Sequence, residues 1–294
     1  MTDGTDQQLP TNWGRWGEDD ELGTLNLVTA EVRARGVAEA REGEVVPLGR
    51  AVTPAPTARG PFGPDGPRSS AVQQALLYTG TPPMGMAETL VLTPHDPSLT
   101  HLDAVAHIPV DGMVYPGRPL AECVDPGGVR HGSTAAFGDG VVTKGVLLDL
   151  APGDRLPPAH GITGTDLDAA AERGGVTVLP GDAVVLRGGW TFAWDAEEPT
   201  PGLTLDAVAW LHRHDVALLA GDVGDAFPPL EGEMPMPLHL VGLARLGLPL
   251  VDGASVEDLA AVCGRLSRSS FMLVVAPPRI HGATGLPVNP LAVF

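Results

Sequence analysis

The feature that most constrains this chain is a series of short runs rich in valine and leucine, spaced along its length and broken by glycine and proline. GEVVPLGRAV (43–52), ETLVLTP (88–94), VVTKGVLLDL (141–150), DAVVLRGGW (182–190), VALLAGD (216–222) and SFMLVVAP (270–277) each read as a strand. Helical signals sit between the later runs. In TDLDAAAERGG, Thr165 is placed to cap, and Gly174 and Gly175 to stop, a helix. In TLDAVAWLHRH, Thr204 is the cap, and Leu205, Val208 and Leu211 share one face. PLHLVGLARLG reads as a helix ending at Gly247. SVEDLAAVCGRL has capping-box spacing between Ser255 and Asp258. Helices alternating with strands in the second half, after strand and loop in the first, predict a mixed α/β fold around a strong sheet.

The 294 residues are enough for one large domain or two small ones. The densest Gly/Pro cluster, TPAPTARGPFGPDGPRSS (53–70), reads as a long surface loop or lid, because the segments on either side are too small to fold alone. One domain over 1–294 is therefore expected, with an N-terminal arm over about residues 1–30. The balance of 36 acidic against 18 basic residues gives a formal charge of −18, which repels nucleic acid and anionic membranes and leaves a small molecule as the expected partner. No run of about 18 apolar residues occurs, and the polar, acidic start lacks the parts of a signal peptide. With only Cys123 and Cys263, without metal-type spacing, these features predict a cytoplasmic protein. GxSxG, GxxxxGK[ST] and a helix-opening GxGxxG are all missing, which weighs against serine acyl transfer, nucleotide hydrolysis and nicotinamide chemistry.

The stretch LTHLDAVAHIPVDGMVYPG (99–117) places His101, Asp103 and His107 among small apolar residues. On a strand, residues two apart face the same way, so His101 and Asp103 would project together. If DAVAH begins a helical turn, His107 joins them. Imidazole with carboxylate suits Zn²⁺, Mn²⁺ or Fe²⁺ better than Ca²⁺. Spacing alone leaves a metal site and a hydrogen-bonded core network both open. His239 lies near a predicted helix start, with Asp252 following in LVDGASVEDLA. Asp222 ends a strand, where α/β folds often place functional groups. His281 sits in a Gly/Pro-rich loop that could line a pocket. Trp13 and Trp16, in NWGRWG, read as an aromatic lid or as an anchor for the arm, with the lid preferred.

Six ordered blocks resemble the cyclase family, which includes bacterial kynurenine formamidase and isatin hydrolase. NWGRWGEDDELGTLNLVT resembles the opening of its longer members, and THLDAVAHIPVDGMVYPG their THxDAxxH…G…YxG core. KGVLLDLA with the ITGTDLDAAAERGG segment, the AGD strand end, the PLH helix and APPRIHGATGLPVNPLAVF follow in order. The resemblance implies a swivelling β/β/α domain, with a central mixed sheet or partial barrel flanked by helices, in homodimers or homotetramers. It implies Zn²⁺ or Mn²⁺ and hydrolysis of an amide, often cyclic. His101 and Asp103 would be metal ligands, His107 a general base or a hydrogen-bond partner of the attacking water, and His239 and Asp252 the second ligand block, with Asp where the family usually has Glu.

Shorter members read HxGTHxDxPxH, which puts Pro97 where their first histidine stands, Leu99 at their glycine and Val105 at their proline. His95 is the nearest histidine. A two-residue shift along a strand keeps the face but moves the side chain by about 6–7 Å, so His95 ligates only if the chain bulges there. Otherwise it contacts substrate or packs behind the ligands. The leading expectation is a metal-dependent hydrolase of a non-peptide C–N bond in a small amide, cyclic amide or formamide. The alternatives are a ring-forming or dehydrating cyclase of natural-product metabolism with little or no metal dependence, and a non-catalytic binding protein.

Overall fold

The computed structural model describes residues 9–54, 71–82, 84–191 and 198–294. Residues 55–70, most of the expected 53–70 loop, and the first eight residues of the arm lie outside the described residues.

Nine strands form one curled, mixed sheet, a half-barrel. In chain order they are β1 (Val45–Pro47), β2 (His101–Asp103), β3 (Val141–Asp149), β4 (Ala183–Arg187), β5 (Leu218–Gly221), β6 (Leu250–Asp252), β7 (Ser270–Val275), β8 (Gly285–Pro287) and β9 (Leu291–Val293). Their order across the sheet is β1-β9-β7-β3-β4-β5-β6-β2-β8. The middle four, β3 to β6, run parallel, and β2 joins β6 antiparallel. The parallel strands are buried on both faces, which is why they read as continuous apolar runs.

Period-two alternation sorts their side chains into two cores. Val146, Leu148, Val184 and Leu186 face one way, into a core shared with helices α2 (Gly164–Arg173) and α3 (Leu205–Arg213). Leu147, Ala183, Val185 and Leu218 face the other, toward helix α4 (Glu257–Leu266) and Tyr115. Helix α1 (Ala30–Val37) packs across β3.

Three expectations need correcting. Thr163, not Thr165, caps α2: its side chain accepts the Asp166 N–H, and the Asp166 carboxylate accepts the Thr163 N–H, so the true capping box starts two residues earlier. Helix α4 follows Val256 and has no side-chain cap, so the Ser255–Asp258 spacing is not used. PLHLVGLARLG forms a π-helical stretch, Leu238–Leu243, in place of an α-helix. The ETLVLTP run does form a strand, yet outside the central sheet: Gly85–Leu92 pairs with Val72–Thr79 in a separate hairpin.

Candidate active site

The site is assembled where β2 meets β6. His101 and Asp103 sit two apart on β2, as the period-two reading requires, and His101 lies directly across from Asp252 at the carboxyl end of β6. The chain then turns at once: the His107 N–H donates to the Ala104 carbonyl at 2.9 Å, a single tight turn. That turn carries the His107 ring back over the strand end. His239 arrives from the π-helical stretch, and the loop after β5 supplies Asp222 and Asp225. Open α/β sheets bind ligands at the carboxyl ends of their strands, and β5 and β6 both end here.

His95 reaches the same place by a route that strand spacing could not predict. Residues 93–99 are a turn, held by the Asp96 N–H on the Thr93 carbonyl, the Leu99 N–H on the Asp96 carbonyl and the Asp96 side chain on the Ser98 N–H. The two-residue offset is absorbed in that turn, and no strand bulge is needed. Pro97 faces the cleft, while its carbonyl accepts the Arg50 guanidinium at 3.0 Å. Gly285 on β8 makes the space: a Cβ there would stand 2.3 Å from His95 Cε1.

The geometry is close-set. His95 Nδ1 lies 2.9 Å and His101 Nε2 3.6 Å from Asp103 Oδ1. His239 Nε2 lies 3.5 Å from Asp103 Oδ2 and 3.4 Å from Asp252 Oδ2. The His107 ring stacks on His95, with centroids 3.7 Å apart and planes 8° apart. Asp103 is fully buried, and although imidazole nitrogens stand 2.9–3.6 Å from its oxygens, none of these contacts is aligned as a regular hydrogen bond. Buried polar atoms without a regular partner are rare, and here three of them, both Asp103 oxygens and His95 Nδ1, face one point.

The far side of each ring explains this. His101 Nδ1 lies 3.1 Å from the Leu99 carbonyl, which can only accept, so Nδ1 carries a proton there and Nε2 is turned toward Asp103. His239 Nδ1 donates to Asp225 at 2.7 Å, and His95 Nε2 pairs with the Thr284 hydroxyl at 3.1 Å. Carboxylates or carbonyls behind imidazoles set tautomer and orientation in this way around metal ions. Two ligands bound at about 2.1 Å to one tetrahedral ion stand about 3.4 Å apart, close to the separations found here. His95, His101 and Asp103 form one group able to hold a cation, and Asp103, His239 and Asp252 a second that shares Asp103.

The electrostatics agree. Burial opposes charge on His239, but Asp103, Asp225 and Asp252 together raise its pKa well above the usual value, so without an ion a proton balances the carboxylates. Burial would raise Asp103, yet His239 and His95 hold it well below the ordinary carboxylate range. Burial lowers His107 to about 4, only partly offset by Asp103, so its ring is neutral at pH 7.

The cleft around this cluster has a volume of about 440 Å³, with Leu99, Ile108, Val223, Phe227 and Met236 on its apolar walls. Asp222 also lines it, but its carboxylate already accepts the Gly188, Gly189 and Trp190 N–H groups, and burial raises its pKa to about 6. Three other expected contacts lie elsewhere. Trp13 donates Nε1–H to the Ala244 carbonyl, and both Trp13 and Trp16 pack on the core around Tyr115. Within this chain they anchor the arm, and among the described residues neither lines the cleft around Asp103. His281 lines a separate surface depression beside Gly128. Sequence reasoning missed Asp225. Its carboxylate accepts the Leu238 and His239 N–H groups as well as the His239 ring, so it sets both the start of the π-helical stretch and the ring that stretch carries. DVGDA alone offers no signal that separates Asp225 from an ordinary turn aspartate.

With fold and site in view, comparison with known proteins places the chain in a class. The Cyclase family model matches residues 47–226, and the chain belongs to that family. The crystal structure of a novel cyclase superposes with a TM-score of 0.80 at 26% identity, covering 97% of each chain. An isatin hydrolase bound to the product analogue thioisatinate gives a TM-score of 0.61 at 22% identity, covering 90% of this chain and 99% of that one. Isatin hydrolase A from Labrenzia aggregata, bound to benzyl benzoate, gives 0.58 at 18% identity, covering 85% and 93%. No curated protein matches the chain. Among the described residues no helix is long and apolar enough to cross a membrane.

Proposed function

We propose that this chain is a metal-dependent hydrolase that opens a non-peptide C–N bond in a small, largely apolar amide, with a lactam of the isatin type as the first substrate to try. The observation that carries this reading is Asp103: a fully buried carboxylate without a regularly aligned hydrogen bond, faced by three imidazoles whose outer nitrogens are already anchored. His95, His101, Asp103, His239 and Asp252 would hold the ion. A bound Zn²⁺ or Mn²⁺ supplies Lewis acidity, polarising a carbonyl and lowering the pKa of water from about 16 toward 7.

The chain's own groups do the rest. The apolar walls seat the ring of the substrate and exclude bulk water. His107, neutral and stacked on His95, accepts the proton of the attacking water on its free ring nitrogen and returns it to the leaving nitrogen. Asp225 holds the His239 ring through Nδ1 while the Leu99 carbonyl holds His101. A purely structural network would satisfy Asp103 internally, and His95 beside it, in place of a ligand at Pro97, favours the metal-dependent reading over a metal-free cyclase.

The test is elemental analysis of purified protein, alongside turnover of small lactams, formamides and lactones before and after chelation. Stoichiometric Zn or Mn, with activity lost on chelation and restored by the ion, is expected. Full activity in metal-free protein would overturn the reading.

A further inference from the structure

The N-terminal arm is seated by hydrogen bonds that a loose tail would not make. Four successive carbonyls beyond the π-helical stretch, those of Ala244, Arg245, Leu246 and Gly247, accept from it in turn. The donors are Trp13 Nε1–H, the Asn12 N–H, the Asn12 side-chain amide and the Thr24 N–H, each at 2.9 Å. Asp20 fixes the chain between them. Its carboxylate accepts the Gly23 N–H at 2.9 Å, the Asn26 amide at 2.7 Å and the Tyr115 hydroxyl at 2.8 Å. The next residue, Glu21, is thereby delivered to a set place.

Glu21 meets a bend at 130–132 that packs on the turn carrying His107. Its Oε1 accepts the Gly132 N–H at 3.1 Å and stands 3.1 Å from Nδ1 of the buried His131. The Gly132 carbonyl in turn accepts the Ala106 N–H at 3.2 Å. The approach is close: Gly132 has φ +75°, and a Cβ there would stand 3.1 Å from both Ala106 Cβ and Val105 Cγ2. Glycine alone takes that conformation and that distance without strain. The other backbone bonds of the turn run from the His107 N–H to the Ala104 carbonyl and from the Ala104 N–H to the Thr284 carbonyl. The Ala106 N–H is thus the tie between the turn and the bend that Glu21 holds.

We propose that Glu21 is a positioning residue for His107. Through Gly132 its carboxylate fixes the Ala106 amide, and with it the backbone from which the His107 ring projects onto His95. The inference rests on the proton-transfer role given to His107 above. A misplacement of about 1 Å can cost a reaction about 100-fold, so a tie one residue from the ring is felt in turnover. An ordinary surface ion pair would not be felt there. The Glu21 side chain is 37% exposed, and such pairs add little to stability, so its removal leaves the fold intact.

The experiment compares full-length wild type, Glu21→Ala and Glu21→Gln. Hydrogen exchange at the Ala106 amide should quicken about 10-fold in Glu21→Ala. It should stay near wild type in Glu21→Gln, whose amide oxygen still accepts from Gly132. On the lactam or formamide that wild type turns over, kcat should fall about 10-fold in Glu21→Ala, with KM and metal affinity within about 2-fold of wild type. Glutamine should restore most of that loss. Unchanged exchange at Ala106 in Glu21→Ala overturns the inference, as does an unchanged kcat. A metal affinity that falls in step with kcat overturns it too, because the whole site has then loosened. So does an equal loss in Glu21→Gln, because charge and not the hydrogen bond is then at work. If wild type hydrolyses none of these substrates, the hydrolase reading fails by itself, and exchange at Ala106 still decides whether Glu21 holds the turn.

Discussion

Asp103 and Asp182 are both aspartates with no exposed surface, and they are opposites. Asp182 is complete in itself. Arg35 donates to it at 2.7 Å, Lys144 stands 3.1 Å away and the Leu179 N–H donates at 3.0 Å. Lys144, the only lysine in the chain, also donates to the Thr177 carbonyl. Every demand of that carboxylate is met by groups that cannot leave, so the cluster ties α1, β3 and the start of β4 together and does nothing else. Asp103 has three imidazoles around it and no regularly aligned hydrogen bond. The first arrangement is finished by folding. The second is arranged as two groups of His and Asp ligands that share Asp103, and on the reading proposed above a cation completes it. A buried charge thus marks a site when its partners are arranged to share something that the chain does not contain.

The comparison breaks if the two clusters respond alike to mutation. The widest separation should come from His107→Ala, which is expected to cost about 10²- to 10⁴-fold in turnover with little change in thermal midpoint. Asp182→Asn should do the reverse, costing about 3–5 kcal/mol of stability because it strands Arg35 and Lys144, while protein that remains folded keeps its turnover number. Denaturant titration and initial rates on both variants decide this. Next, metal at about 100 times its dissociation constant should stabilise wild type and Asp182→Asn by about 2.7 kcal/mol, and Asp103→Asn not at all. Thermal melts with and without chelator read that difference directly.

Two smaller effects sharpen the picture. Asp225→Asn should weaken metal binding by about 10- to 100-fold, read by competition with a chromophoric chelator, because the amide no longer anchors His239 as the carboxylate does. The last concerns pH. The folded pKa of His107 is about 4, below its ordinary value of 6.5, because burial disfavours its charge. Its stabilising contribution is therefore present above pH 6.5 and is lost as pH falls toward 4, since the unfolded chain takes up a proton that the folded chain refuses. In chelated protein, His107→Gln should flatten the fall in stability between pH 6.5 and 4. An unchanged slope would mean that the ring is not desolvated as described.

Much of this was legible in the chain. The apolar runs at 141–150, 182–190 and 216–222 read as strands, and the structure places them in the parallel centre of the sheet, where burial on both faces leaves little room for polar residues. The pair His101 and Asp103 was readable from period two alone, since both sit on one short strand. Local pattern was less informative where backbone bonding had several choices. Thr165 reads as the cap of α2 where Thr163 takes that role, and the stretch at 238–243 reads as an α-helix where the backbone is π-helical.

The sequence by itself determined the α/β class, the central strands and the residue types that could bind a cation, since these follow from local periodicity and side-chain chemistry. Only the tertiary structure decided which of those residues meet. His95 reaches Asp103 because a turn spans 93–99 and Gly285, nearly two hundred residues away, leaves room for its ring. Asp225 earns its place because the loop after β5 passes under the start of the π-helical stretch. Trp13, Trp16 and His281 stay apart from the cleft because the arm packs on the core around Tyr115 and the loop after β7 opens on another surface. Such meetings depend on how distant segments are brought together by packing, and no window of sequence contains that information.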